Sequence, residues 1–340
     1  MALYHSHSYS RRGRRTQMWL YSISALVIIV AVIYGYRHFG KTKGEKLPLP
    51  AVNTNVETAT ESAVVEPTVP APEAMTTIPP ELTTEPNPKA AELISEAETA
   101  LNAKPARIID ARTRLNEVLL MHISGQQRAF VKERLSQLSD KWLFSRTIFP
   151  QDELCGSYKV KPGEMLSAIG KRFKVPHEIL MEINNIPAAE ALQASETIKI
   201  INGPFHAIVH RSTFTMDVYL QNTFVRSFPV GLGKPGMETP TGLWLVKPGG
   251  KLISPTWTDP ISGKTYEAED PDYPLGSRWI GLEGISGQAK GRTGFAIHGT
   301  KSPEEIGTAG SQGCIRLHNG DAILVYNLLM PGFSKVQVVE

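Results

Sequence analysis

The hydrophobic and polar positions of this chain change rhythm several times between the first residue and the last. Nineteen uncharged, mostly apolar residues run from Met18 to Tyr36, close to the ~20 that a helix needs to cross the hydrocarbon core of a bilayer. This predicts a membrane-spanning helix over 18–36 behind a basic tail over 1–17. Residues 37–88 follow, rich in Pro, Thr and Glu and without an aromatic after Phe39. They carry too little apolar surface to offset the entropy of ordering, which predicts a disordered linker. Over 89–150 the apolar positions return at helical spacing, as in Val131, Leu135, Leu138 and Trp142. About three helices are expected, the second opening at Pro105. From Tyr158 to Ile201 a short alternating strand, a turn at Pro162-Gly163, two amphipathic stretches and a second β-rich strand give a β-α-α-β order within a module drawn over 157–202. The last stretch, 205–340, alternates with period two in Ala207 to Val209, Thr215 to Leu220, Thr223 to Val230, Leu243 to Val246 and Lys335 to Val339. One clear helix, Asp321 to Leu329, interrupts a mainly β domain. The fold class expected is therefore multidomain: transmembrane helix, disordered linker, small all-α segment, β-α-α-β module and mainly β domain.

Charge and cysteine content narrow the function. The chain has 36 basic and 33 acidic residues, a net +3 with no basic run beyond the ends of the apolar span, which argues against a nucleic-acid partner. Arg11, Arg12, Arg14 and Arg15 precede that span while Arg37, Lys41, Lys43 and Lys46 follow it, so the positive-inside count is tied. A cleaved signal peptide is the competing reading, but the run is long for one and no small-x-small cleavage site follows. With Cys155 and Cys314 as the two cysteines, the chain is not a disulfide scaffold, although an oxidising compartment would allow one bridge between them.

The 158–201 segment resembles the LysM module in the strand Tyr158 to Val160, the turn Lys161-Pro162-Gly163-Glu164, Leu166, Ile169, Phe173, Asn184 and the closing Ile198 to Ile201. That resemblance implies binding to glycan containing N-acetylglucosamine. One departure is Ser195-Glu196-Thr197, where such modules usually carry a glycine turn; the rival reading is a small folded spacer.

Chemistry concentrates in FAIHGTKSPEEIGTAGSQGCIRLHNGD, where His298 and Cys314 stand sixteen positions apart across a Gly-rich loop. A thiol near its ordinary pKa of about 8.5 is mostly protonated at neutral pH, so acyl transfer requires a neighbouring base. His298 is the candidate, and backbone N–H groups around Gly313 are candidates to receive an oxyanion. The HGT, S-x-G-C-I-R and N-x-D sequence resembles the catalytic signature of the L,D-transpeptidase family, as do the T-P-T-G turn and the PDYPLGSRWIGL segment upstream, over Phe205 to Glu340. The resemblance implies Cys314 as nucleophile, His298 as general base, the Gly299 carbonyl as the group orienting it, and Arg316 as a support for the loop or for a substrate carboxylate. Ser311, Gln312 and Gly313 complete the loop, with Gln312 where many members carry histidine. It further implies a thioester acyl-enzyme formed from peptidoglycan tetrapeptide stems, transfer to an amine to make 3-3 cross-links, acylation by carbapenem-type β-lactams, and no cofactor. The protein is then expected in the cell envelope, on a single-pass membrane anchor, with its catalytic domain on the periplasmic or wall side.

Other readings of the same residues stand beside this one. Transfer to water would make an L,D-carboxypeptidase, and a domain that only packs would leave a non-catalytic peptidoglycan-binding tether. His298, Cys314, His318 and Asp321 suggest a metal set, but the paired ligand spacing of zinc sites is missing and no metal is expected. Trp257, Tyr273 and Trp279 suit a substrate cleft or a core equally, and Arg278 suits a carboxylate partner or an ordinary surface charge.

Overall fold

The computed structural model describes residues 80–340. The basic tail, the apolar span over 18–36 and the linker up to residue 79 lie outside the described residues. Among the described residues no helix is long and apolar enough to cross a membrane. The last residues of the expected linker lie against the helices: the Thr83 N–H donates to the Ile123 carbonyl at 3.0 Å and Arg128 donates to the Pro80 carbonyl at 2.7 Å.

Three helices follow, α1 (Pro88–Asn102), α2 (Ile108–Leu119) and α3 (Gly125–Trp142). Each of the outer two starts on a side-chain cap. Asn87 accepts from the N–H groups of Lys89 and Ala90, and Ser124 forms a reciprocal capping box with Gln127. The second helix opens at Ile108 rather than at Pro105, which lies in the connection with Lys104, so the proline marks the turn and not the first helical position. Leu93, Ala97, Leu115, Val131, Leu135, Leu138 and Trp142 form the core between the helices.

The β-α-α-β module comprises β1 (Cys155–Lys159), α4 (Leu166–Arg172), α5 (His177–Asn184) and β2 (Thr197–Ile201), its two strands antiparallel with Cys155 opposite Ile201. The first strand begins three residues before Tyr158 because Cys155, Gly156 and Ser157 find partners in Ile201, Ile200 and Lys199. At Ser195, where a glycine is usual, the backbone takes φ 69°, the left-handed conformation that ordinarily selects glycine.

The remaining chain builds an eight-stranded sheet from β3 (Phe205–His210), β4 (Thr215–Leu220), β5 (Thr223–Pro229), β7 (Gly242–Ile253), β10 (Arg278–Gly284), β11 (Phe295–His298), β13 (Ile315–Arg316) and β14 (Lys335–Val339). Its order is β13-β11-β10-β7-β14-β3-β4-β5. Short pairs flank it: β6 (Leu232–Gly233) with β12 (Ala309–Ser311), and β8 (Trp257–Thr258) with β9 (Thr265–Tyr266). Helix α6 (Asn319–Leu328) packs on β10 and β11. The three-helix segment lies against the opposite edge, through α3 on β5, with Lys132 reaching the fully buried Asp217 at 2.5 Å and Arg226 reaching Asp140 at 2.5 Å.

Buried ions tie the module to its neighbours. The Lys199 ammonium on β2 donates to the carbonyls of Trp142, Ser145 and Thr147 at 2.5, 2.8 and 2.7 Å, which uses all three of its donors on the chain leaving α3. Arg112 pairs with the buried Asp152 at 2.7 Å and stacks 4.4 Å from the Trp142 ring. On the other side Lys251 of β7 lies 3.5 Å from Glu178 of α5 and 4.0 Å from the ring of Tyr326 in α6. Lys199→Met removes the donors and leaves the buried Trp142 carbonyl and the part-buried Ser145 and Thr147 carbonyls without this partner. Urea denaturation is expected to register a loss of about 3 kcal/mol. A loss within about 0.5 kcal/mol, the range of a neutral surface change, would show that the contact is dispensable.

Candidate active site

The site forms at the sheet edge farthest from the three-helix segment. Strand β13 is parallel to β11, with Ile297 opposite Ile315 and His298 opposite Arg316. Extending that register by one residue sets Cys314 beside Ala296. Because side chains alternate along a strand, that extended register puts Cys314, the residue just before β13, on the same side of the sheet edge as Ala296, His298 and Arg316. The sixteen-residue separation in sequence is closed by the loop over 299–313.

The imidazole of His298 is enclosed. Its Nδ1 lies 2.6 Å from the Gly299 carbonyl. A carbonyl only accepts, so Nδ1 carries the proton and Nε2 keeps a lone pair. Trp279, the cross-strand partner of His298 on β10, stacks on the ring with centroids 5.6 Å apart and planes 16° apart. Burial pushes His298 down to about 4; hydrogen bonding to the Gly299 and Leu275 carbonyls opposes that shift, and the nearby Arg316 charge reinforces it. Cys314 is half-buried and free, and burial pushes its thiol up to about 11, against the pull of the Ala296 N–H directed at the sulfur. At neutral pH thiol and imidazole are therefore both uncharged, and the Cys314 sulfur is directed at the Gly294 carbonyl, 3.9 Å away.

Ser311 knits the turn that presents the thiol. Its hydroxyl donates to the Cys314 carbonyl at 2.6 Å and accepts from the Gly313 N–H at 3.0 Å. The Gly313 N–H is thus already engaged and is not free for an oxyanion, contrary to the simplest expectation for this loop. Gly313 itself has φ +110°, and a Cβ there would sit 2.8 Å from the Phe295 ring, so both conformation and space require glycine. Its carbonyl accepts from Thr239 of the T-P-T-G turn at 2.9 Å, and that hydroxyl in turn accepts from the Gly233 N–H. Gln312 is exposed and donates to Asp259, a carboxylate held below its usual range first by the Ser262 hydroxyl, then by the Ile261 N–H, with Gln312 adding to both. The Arg316 guanidinium is paired with Glu305 inside the same loop, and its backbone pairs with Gly231. That engagement favours loop support over an open carboxylate site.

Sequence reasoning passed over the clamp behind the loop. The Asn319 side chain accepts from the Thr300 N–H at 3.1 Å and donates to the Thr300 carbonyl at 3.0 Å. A Cβ on Gly299 would lie 2.1 Å from its Oδ1, so Gly299 makes room for the clamp as well as orienting His298. The N-x-D text was visible, but its spatial partner was not. Trp257 stacks on Tyr266 within the β8–β9 hairpin at 6.1 Å, and Tyr273 is buried and donates to the Pro255 carbonyl. Arg278 lies 5.4 Å from the Tyr326 ring and makes no ion pair among the described residues. His318 is exposed, and among the described residues no three His, Cys, Asp or Glu side chains converge as a metal-binding group.

Residues 204–338 match the L,D-transpeptidase catalytic domain and residues 158–200 match the LysM domain. A Bacillus subtilis protein bearing the L,D-transpeptidase name, YkuD, is 28% identical over 184 residues, which cover 52% of this chain and 94% of that protein. A second from the same organism, YqjB, is 34% identical over 132 residues, covering 38% of this chain and 69% of that one. The chain belongs to the L,D-transpeptidase family. A crystal structure of an L,D-transpeptidase from Mycobacterium tuberculosis H37Rv matches at 21% identity and a TM-score of 0.32, over 43% of this chain and 63% of that one. The shared stretch is thus less than two thirds of that solved chain.

The two thiols of this L,D-transpeptidase should differ in reactivity. Cys155 is 3% exposed, and burial pushes its thiol up to about 12, whereas Cys314 reaches the surface. Iodoacetamide on the native protein at neutral pH is expected to label Cys314 first, with peptide mapping finding Cys155 modified only after unfolding. Equal labelling of both, or a disulfide between them, would contradict these environments.

Proposed function

We propose that this L,D-transpeptidase is a cysteine acyltransferase that cross-links peptidoglycan stems, with Cys314 as nucleophile and His298 as general base. The observation that supports the reading is the parallel pairing of β11 with β13, which brings Cys314, next to Ile315, to the strand that ends in His298, while His298 Nδ1 donates to the Gly299 carbonyl; Nε2 is then the nitrogen assigned to take the thiol proton. As substrate enters, that proton moves to Nε2 while sulfur attacks the carbonyl of the third stem residue, a diamino acid. The C–N bond to the terminal D-alanine breaks, the imidazolium returns the proton to the departing amine, and a thioester remains. The side-chain amine of a second stem then attacks the thioester, passes its proton to His298 and makes a 3-3 cross-link; the thiol is regenerated. Water as acceptor gives an L,D-carboxypeptidase and a lysine of an envelope protein gives a protein conjugate, by the same acyl-enzyme.

The neutral resting pair supports concerted proton transfer rather than a preformed thiolate, and the stacked Trp279 supports the imidazolium that forms during attack. Ser311, Gly313, Thr239 and Arg316 hold the loop, and Gln312 joins it to the β8–β9 excursion. The LysM domain retains the enzyme on glycan strands, the 18–36 span anchors it in the membrane, and the catalytic domain lies on the wall side. Carbapenem-type β-lactams, which present a strained acyl group, are expected to acylate Cys314.

Incubating the protein with disaccharide-tetrapeptide muropeptides and reading products by mass spectrometry tests the reaction. Cys314→Ala should abolish both the acyl adduct and the release of D-alanine while the far-ultraviolet circular dichroism stays unchanged. Acylation should decline as pH falls through about 4, where His298 becomes protonated and can no longer accept. Turnover retained by Cys314→Ala would end the assignment, and glycan binding without any turnover by the wild type would favour a tether.

A further inference from the structure

A cavity of 510 Å³ opens where the turn between α5 and β2 meets the chain leaving α3. Its lining is mixed: the apolar Ile186, Pro187, Ala191 and Ala194, of which only Ile186 is buried, and, on the exposed rim, the polar Asn185, Gln193 and Ser195. The side chains of those three rim residues make no hydrogen bond with any described residue, in contrast to Asn184 beneath them, whose amide is spent on Leu180 and Lys199. Unpartnered amides and a hydroxyl beside small apolar side chains are groups that can receive an N-acetylated sugar.

The rim also holds one residue from outside the LysM domain. Arg146 lies in the chain leaving α3, and its guanidinium forms no ion pair or hydrogen bond with any described residue. Its placement is not accidental to a loose loop. The residues on either side of it, Ser145 and Thr147, both give their carbonyls to the buried Lys199 ammonium of β2, so the backbone carrying Arg146 is fastened to the strand that closes the cavity. Glu196, also at the rim, turns its carboxylate to the Gln193 N–H of its own turn and does not neutralise the arginine.

We infer that Arg146 and the α5–β2 turn form one composite site for a carboxylate-bearing N-acetylated glycan, with Arg146 holding the carboxylate. The inference rests on the glycan-binding reading of the LysM domain and adds that its selectivity for charge is supplied by the helical segment. In peptidoglycan such a carboxylate comes from the lactyl ether of the glycan, free in strands stripped of stems, or from the stems themselves.

Binding of the full chain to a neutral N-acetylglucosamine tetramer, to stem-free glycan strands with free lactyl carboxylates, to strands that still carry stems, and to each kind of strand with its carboxylates amidated separates these cases. Wild type should favour the charged strands over the amidated ones about fivefold at low salt, the scale of one exposed charge-assisted contact, and less at high salt. Arg146→Gln should erase that preference and leave tetramer binding unchanged. If the preference appears only on strands that still carry stems, the carboxylate is the stem's. Equal affinity of wild type for charged and amidated strands of both kinds, or equal weakening of tetramer and strands by Arg146→Gln, would overturn the inference while leaving the LysM reading intact. Failure of wild type to bind any probe would remove both.

Discussion

Two residue pairs, Ile297 with Ile315 and His298 with Arg316, are all that join β13 to β11, yet this short parallel ladder is what makes the loop between them a site. It brings Cys314, the residue before Ile315, alongside the strand that ends in His298 although fifteen residues of loop separate them in sequence. Most of the surrounding interactions serve to hold that ladder in place. Asn319 fastens the exit of β11, Ser311 and Thr239 fasten the turn before β13, and the Glu305–Arg316 pair closes the loop on itself.

The same enclosure that orders the pair also suppresses its charges. Burial lowers the basicity of His298 and raises the pKa of Cys314, so the environment disfavours the thiolate–imidazolium form. A neutral thiol resists adventitious oxidation and alkylation better than a preformed thiolate would. The groups that respond to developing positive charge are already in position: the Gly299 carbonyl on Nδ1 and the Trp279 face on the ring.

The helical segment, the LysM domain and the catalytic domain are joined by ions that have left water, and such contacts are costly to break singly. Lys199 is saturated by three carbonyls of a neighbouring segment, and Arg112 with Asp152 seals the same junction. The boundary between the modules is therefore not a hinge, and removing the LysM domain would take Lys199 from the carbonyls of Trp142, Ser145 and Thr147. A contiguous path also runs from Glu178 of the LysM domain through Lys251 and Tyr326 to Arg278, the neighbour of Trp279.

Periodicity and composition were enough to divide the described chain into helices, a β-α-α-β module and a mainly β domain, because alternation at two and at three to four residues is a local property. Local signals also located His298, Cys314 and the Gly-rich loop, since a rare thiol beside glycines stands out in any sequence. Strands β10, β11 and β13 were less legible: two are four residues or fewer and the other is interrupted by glycine, so each gains its strand character from neighbours rather than from its own pattern. Tertiary structure alone decided that Trp279 faces the imidazole, that Arg316 is paired with Glu305, that the Gly313 N–H is already engaged, and that Arg146 overhangs a cavity in another domain. Each of those facts depends on which distant segments are brought side by side, and on whether burial leaves a polar group partnered or open, neither of which is written in the spacing of residues along the chain.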